Sequence, residues 1–306
     1  VAQLIFQSVD DLVQRYLILG AICTAASIIP IFLCVAGTFR RAMPKERILM
    51  AQEAAGETTE APLPLVKQIG IALGNRPFQY VVGIYLCSWF AVQLIGAIMQ
   101  FYVVSWMRLD AAEFPNVALA VQGTAIAFLP IWGRLSKTKG KRGVYFMGMG
   151  IWLIAQVGLL FLQPGQVGLM YFLCVMAGAG VSTAYLVPWS MLPDVIDADE
   201  LKTGQRREGV FYSFMVFLQK MGLALALWFV GQIIEWAGYI KSVPDAPPPV
   251  QPESALWAIR LLIGPLPAIA LVAGIILTYF YPITAELHRE ILLKLQERKE
   301  KSGELS

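Results

Sequence analysis

Long apolar runs separated by short charged segments set the pattern of this chain. Seven runs, roughly 16–39, 78–105, 116–133, 143–162, 167–192, 210–238 and 256–281, each approach the length of about 20 residues that carries a helix across hydrocarbon. They are rich in Gly, Ala, Leu, Ile and Val and lack the ten-residue alternation of a membrane β-barrel, so they predict helices. Gly178-Ala179-Gly180 and the stretch from Gly143 to Gly150 predict helix backbones that approach closely. Pro188 interrupts the fifth run and Pro193 ends it, which predicts a kink; a hinge and a merely packed bend are both open. Beyond the last run, Ile283, Leu287, Ile291 and Leu295 recur every four residues and predict an amphipathic helix on the membrane surface or on the bundle.

Composition agrees with this pattern. Charged residues make up 15% of the 306-residue chain, against about 25% in a soluble domain. A pair of soluble domains and a disordered chain are excluded. A net charge of +3 leaves nothing to neutralise nucleic acid, so no nucleic-acid partner is expected. Cys23, Cys34, Cys87 and Cys174 all lie inside apolar runs without metal-ligand spacing, and His288 is the only histidine. Neither a metal site nor a His-based catalytic triad is expected, no cofactor is implied, and the chain does not read as an enzyme.

The basic residues give a direction. Nineteen Lys and Arg fall after the first, third, fifth and seventh runs, whereas only Arg15, Arg108 and Lys241 fall on the other side. By the positive-inside rule the odd loops and the C-terminal tail are cytoplasmic, in a multi-pass protein of the cell membrane. The N-terminus is then outside, with no readable signal peptide and Val at position 1. An odd span count, an outside start and no initiator suggest a chain truncated upstream. The organisation expected is one helix in 1–41, a cytoplasmic linker over 42–77, a six-helix bundle over 78–281 and an amphipathic tail over 282–306. One helix, a linker and six more are what a six-plus-six transporter retains when its first five helices are removed.

A few residues do not belong in lipid. Lys220 lies about ten residues into the sixth run, roughly 15 Å deep. A charge at that depth costs about 3 kcal/mol on insertion scales, so it needs either an ion-pair partner within the bundle or a watery cavity. Tyr185 and Trp89 fall at comparable depth, with Gln219 beside Lys220 and Gln93 one turn beyond Trp89. Each aromatic alone is consistent with packing. Together they predict a polar site with aromatic platforms, suited to sugar rings and to acyl or cationic groups alike. Trp106, Trp236 and Trp257 at the opposite ends of spans suit an interfacial belt. The loop after the fifth run packs Asp194, Asp197, Asp199, Glu200, Lys202, Arg206, Arg207 and Glu208 into fifteen residues. A solvated, salt-bridged loop and a gate whose ion pairs break during transport both fit. The basic hairpin Arg134 to Arg142 is a candidate partner for those acids.

The segments Pro188-Trp189-Ser-Met-Leu-Pro193-Asp194-Val-Ile-Asp197, Glu200-Leu-Lys202-Thr-Gly204, Arg206-Arg207-Glu208-Gly209 and Gln219-Lys220 resemble the glycoside–pentoside–hexuronide cation symporters. These are melibiose-carrier-like members of the major facilitator superfamily, to which animal lysolipid symporters are related. Asn75-Arg76-Pro77-Phe78 and Tyr281-Pro282-Ile283-Thr284 are similar to the same family. The resemblance implies an all-α major facilitator bundle, covering the sixth to twelfth helices. It implies symport of a small solute, foremost a glycoside, with Na⁺ or H⁺ by alternating access, or alternatively of a lysolipid. Lys220 becomes a substrate- and cation-coupling lysine, and Tyr185 stands where the melibiose carrier has a sugar-contacting tryptophan. Asp194, Asp197, Glu200 and Arg206 match a gating cluster. The family's cation site uses acids of the first half, which this chain does not contain, so the other half of the same transporter is an implied partner. A different class, a Mg²⁺-dependent lipid transferase using Asp194-x-x-Asp197, lacks a second acidic motif here.

Overall fold

The computed structural model describes residues 12–54, 64–241 and 249–302. The described residues contain helices and no strand. The chain divides into two compact units, Val1–Leu63 and Pro64–Ser306, each described by itself.

In the first unit, α1 (Leu12–Ala54) is one helix whose apolar segment Leu17–Phe39 is long enough to cross a bilayer. Its hydroxyls bond inward to their own backbone, Ser27 Oγ to Cys23 O and Thr38 Oγ1 to Cys34 O, as isolated polar groups in lipid must. The helix runs thirteen residues past the expected end at position 41, and a second helix, α2 (Leu65–Gly74), opens the next unit. Much of the stretch 42–77 is therefore helical, while 55–63 lies outside the described residues.

The second unit is the bundle. Asn75 closes α2 and starts α3 (Arg76–Phe101): its side chain accepts from Phe78 N at 3.1 Å, with Pro77 in the first turn. The motif residues Asn75 to Phe78 thus form a helix start. Phe78 is buried, its ring meeting that of Phe211 edge to face with centroids 4.9 Å apart. A π-helical turn, Tyr102–Trp106, extends α3. The next helix, α4 (Phe114–Phe161), has 48 residues, about 70 Å and twice a hydrocarbon width.

Its contacts with α5 (Val167–Thr203) resolve this length. In the first part of α4, Glu113 and Gln122 meet Tyr171 and Tyr185, so numbers rise together. In the second part, Lys141 meets Asp194, Gly148 meets Thr183 and Gly158 meets Leu173, so numbers run oppositely. The chain reverses at Gly140, whose φ of 73° and ψ of 164° leave the helical region and suit a residue without Cβ. Among the described residues six helices are long and apolar enough to span, and this reversal makes one of them two crossings. The remaining elements are α6 (Glu208–Trp236), α7 (Glu253–Ile263), α8 (Pro265–Phe280) and α9 (Ala285–Ser302). A break at Gly264-Pro265 divides the last span into α7 and α8.

Of the small residues singled out in the sequence, Gly148, Gly178 and Gly180 mark close approaches between helices, whereas Gly150 has open space around it. A Cβ on Gly178 would strike Val121 O, and one on Gly180 would strike Gly148 O and Trp152. Some polar groups inside the bundle find internal partners: Ser88 Oγ and Tyr145 OH lie 2.7 Å apart, and Trp132 Nε1 donates to Ala179 O at 2.8 Å. Two expectations change. α5 does not end at Pro193 but runs ten residues further, to Gly204 in the left-handed conformation. The turns past Pro193 are tied to neighbouring segments, Lys141 Nζ reaching both Ser190 O and Asp194 at 2.7 Å. Such ties offset the lost proline donor. In the tail, Ile283, Ile291 and Leu295 are buried but Leu287 is 40% exposed; His288 shares the buried face instead.

Candidate functional site

A cavity of about 330 Å³ opens inside the bundle between α3, α4 and α5. Trp89 and Gln93 reach it from α3, Gln122 and Trp152 from the two limbs of α4, and Tyr185 from α5. Val92, Ile95, Met99, Phe114, Val121 and Val181 supply apolar walls, and no charged side chain lines it. Tyr185 OH donates to Gln122 Oε1 at 3.3 Å. Trp89 Nε1 and Trp152 Nε1 are buried without a partner among the described residues, so two indole donors await an acceptor.

The aromatic rings form a connected series. Tyr85 stacks on Trp89 at 5.8 Å, Trp89 meets Tyr185 at 6.0 Å, and Trp189 touches Tyr85 at 5.7 Å and stacks on Tyr212 at 6.2 Å. Tyr85 and Trp89 are four residues apart on α3, as are Tyr185 and Trp189 on α5, so each pair shares a helix face. Sequence reasoning singled out only one aromatic residue of each pair for the cavity. The repeated Tyr-x-x-x-Trp spacing was the signal for the other two. Gln122 and Trp152 carried no such signal, because their limbs come together only through the reversal at Gly140.

Of the residues expected to converge, the structure brings together Trp89, Gln93 and Tyr185. Lys220 and Gln219 do not line this cavity. On α6 it is Gly222 that faces Trp89, a Cβ there lying 3.7 Å from Trp89 Cδ1. Two residues back, Lys220 points away and is exposed among Phe217, Met221 and Leu225, with no hydrogen bond or ion pair to any described side chain. Gln219 is half-buried.

At one end of the helices lies the charged cluster. Asp194, Asp197 and Asp199 are each buried, a placement that normally requires pairing. Asp194 takes Lys141 Nζ at 2.7 Å, and Asp197 takes Arg206 at 3.0 Å. Asp199 takes Arg207 at 2.7 Å and also accepts from Asn75 Nδ2 at 3.2 Å. Arg206 additionally bonds Glu200 and Glu208. Its pKa is raised, chiefly by the hydrogen bond to Glu200, although burial opposes this. The residue that sequence reasoning left in the tail is His288. Its Nε2 lies 3.1 Å from Asp197 Oδ2 and 3.3 Å from Asp194 Oδ1, between the two carboxylates. Asp194 and Asp197 thus face cations of this chain, and Pro188 and Pro193 lie within continuous helix just before them.

A bundle of membrane-crossing helices around an uncharged aromatic cavity, with an ion-paired cluster at one end, defines a multi-pass membrane protein of the major facilitator type. The chain belongs to the MFS/sugar transport protein family, whose profile matches residues 2–285. It is 50% identical over 263 residues to an uncharacterized symporter of Synechocystis sp., covering 86% of this chain and 48% of that protein. It is also 26% identical over 299 residues to the sodium-dependent lysophosphatidylcholine symporter 1 of Mus musculus, covering 97% and 53%. The sphingosine-1-phosphate transporter of Xenopus tropicalis is 30% identical over 185 residues, covering 60% and 35%. The chain spans about half the length of the first two of these relatives.

Proposed function

We propose that this chain supplies the C-terminal helices of a secondary transporter of the melibiose-carrier-like branch. It moves an amphipathic solute together with Na⁺ or H⁺ by alternating access. The observation that carries this reading is the cavity at Trp89, Gln93 and Tyr185. Its walls are mainly apolar, its rings offer faces, and its few polar groups are neutral donors and acceptors. An acyl chain or a hydrophobic ring fits the walls, and an uncharged polar portion meets Trp89 Nε1, Trp152 Nε1 and the glutamine amides. Relatives named for lysophosphatidylcholine and sphingosine-1-phosphate transport support the same solute class.

Lys220, with Gln219, stands on the α6 face that the bundle leaves exposed, where it meets an anionic group of the solute or of the coupling machinery. The cluster of Asp194, Asp197, Glu200, Arg206 and Arg207 is a gate at the cytoplasmic end, with Pro188 and Pro193 absorbing the bend as its ion pairs open. A glycoside is the second reading, supported by the sugar-transport family and by the indole platform of Trp89. Uptake by proteoliposomes of the full transporter decides between them. Under an imposed Na⁺ or H⁺ gradient, a lysophospholipid should accumulate and a panel of glycosides should neither accumulate nor compete. Gradient-driven glycoside uptake insensitive to lysophospholipid would overturn the amphipathic assignment.

A further inference from the structure

At the end of the bundle remote from the charged cluster, Arg260 is placed in an unusual way. It lies on α7, seven residues from the helix start at Glu253 and so about 10 Å along it. Its guanidinium carbon lies over two indoles, 4.5 Å from the Trp106 ring centroid and 4.8 Å from that of Trp257. No carboxylate among the described residues pairs with it. One edge is used: Nη2 donates to Leu160 O at 2.8 Å. Nε is buried and has no partner.

The backbone beside Trp106 is irregular. Trp106 ends the π-helical turn, and two residues on, Arg108 has a φ of 56°, the only non-glycine residue with positive φ among the described residues. Both features concentrate where a side chain must be aimed for function. Trp106 is further fixed by Nε1 donating to Leu162 O at 2.9 Å. Trp257, in contrast, is 64% exposed on a helix that crosses the membrane, so the stack opens toward lipid.

A guanidinium held against two rings binds a further group through the N–H groups at its edge. Those that Leu160 O does not take carry a positive charge and suit the oxygens of a phosphate ester. The depth, the exposed indole and the absence of a resident counter-ion all fit a headgroup at the membrane interface. We propose that Trp106, Arg260 and Trp257 form a binding site for a phosphate ester, separate from the bundle cavity. The phosphodiester of a phospholipid in the adjacent leaflet is its expected source. This site is independent of which solute the cavity carries.

Native mass spectrometry of the full chain in detergent, loaded with phosphatidylglycerol, tests it. The unmodified chain should retain one more phosphatidylglycerol than Arg260→Gln, with at least a fivefold fall in the retained fraction for the variant. Diacylglycerol, which lacks phosphate, should be held equally by both. Failure of glycerol 3-phosphate to displace the lipid identifies a lipid headgroup, whereas full displacement identifies a soluble phosphate ester; either supports the site. Trp257→Ala, a change at an exposed position, should also lose retention, which keeps the test valid if Arg260→Gln does not fold. Unchanged phosphatidylglycerol retention in Trp257→Ala, or in a folded Arg260→Gln, would overturn the proposal.

Discussion

Trp89 is fixed on both sides, by Tyr85 stacked at 5.8 Å and by Tyr185 at 6.0 Å, so its indole is presented to the cavity at little entropic cost. Trp89→Ala removes a platform and an unpaired donor together. Uptake assays should show KM raised about tenfold or more, the loss expected for 1.4 kcal/mol or above, while Trp89→Phe keeps the ring and loses less. An Ala variant with unchanged KM would remove this residue from the site. Lys220→Ala should abolish gradient-driven uptake and leave membrane insertion intact; normal accumulation would refute its coupling role. These residues also show what one sequence discloses. Depth along a helix follows from residue number at 1.5 Å per residue, so Trp89, Tyr185 and Lys220 were placed at similar depth from the sequence. Rotation about the helix axis depends on which neighbours surround it. The two-residue step from Gly222 to Lys220 turns the ammonium away from Trp89, and no local pattern announces that.

At the scale of elements, apolar runs and small-residue spacing marked the spans, while the ends of helices depended on tertiary partners. Pro193 looks like a stop because a proline cannot donate, yet α5 continues because its next turns carry Asp194, Asp197 and Asp199, each held by a cation from another segment or from beyond the helix end. Removing Lys141 should loosen that continuation. Lys141→Ala takes away the hydrogen bonds to Asp194 and to Ser190 O, and because its side chain is partly solvated the expected cost is about 1–2 kcal/mol. Chemical unfolding in detergent should show this loss, and hydrogen exchange should rise over 190–203. Protection there equal to the parent would show that the helix needs no such tie. The contact of α4 with α5 makes a second prediction. Gly180 lies against Gly148 O and the Trp152 backbone, neither of which can swing aside. Gly180→Val should therefore destabilise the bundle by about 1–3 kcal/mol, whereas the same change at Gly150, with open space around it, should be close to neutral. Equal effects at the two positions would contradict this packing. His288 was illegible for the same reason as the far side of Pro193. Its role exists only because α9 lies against α5, a contact formed between residues 91 positions apart.

For the whole molecule, the consequential quantity is sidedness, because it decides on which side of the membrane the ion-paired cluster lies. Nineteen basic residues on one side against three on the other predict an orientation in which the Gly140 hairpin, the 194–208 cluster and the tail face the cytoplasm. The structure supplies two positions that report it. Lys137 sits exposed near the Gly140 reversal, and Val250 is 91% exposed on the loop before α7. Single cysteines are introduced at these positions in a chain whose Cys23, Cys34, Cys87 and Cys174 are replaced, and intact cells are treated with a membrane-impermeant maleimide. Val250→Cys should label at once, and Lys137→Cys only after permeabilisation. The two positions lie at opposite ends of the bundle, so a membrane protein with one orientation must label them oppositely. The reverse pattern would put the ion-paired cluster outside, make it an extracellular closure, and move the Trp106–Arg260–Trp257 stack to the inner leaflet. With the expected pattern, the gate proposed above lies at the cytoplasmic end, where Asp194 and Asp197 hold Lys141, Arg206 and His288. That proposed gate opens only when those pairs part.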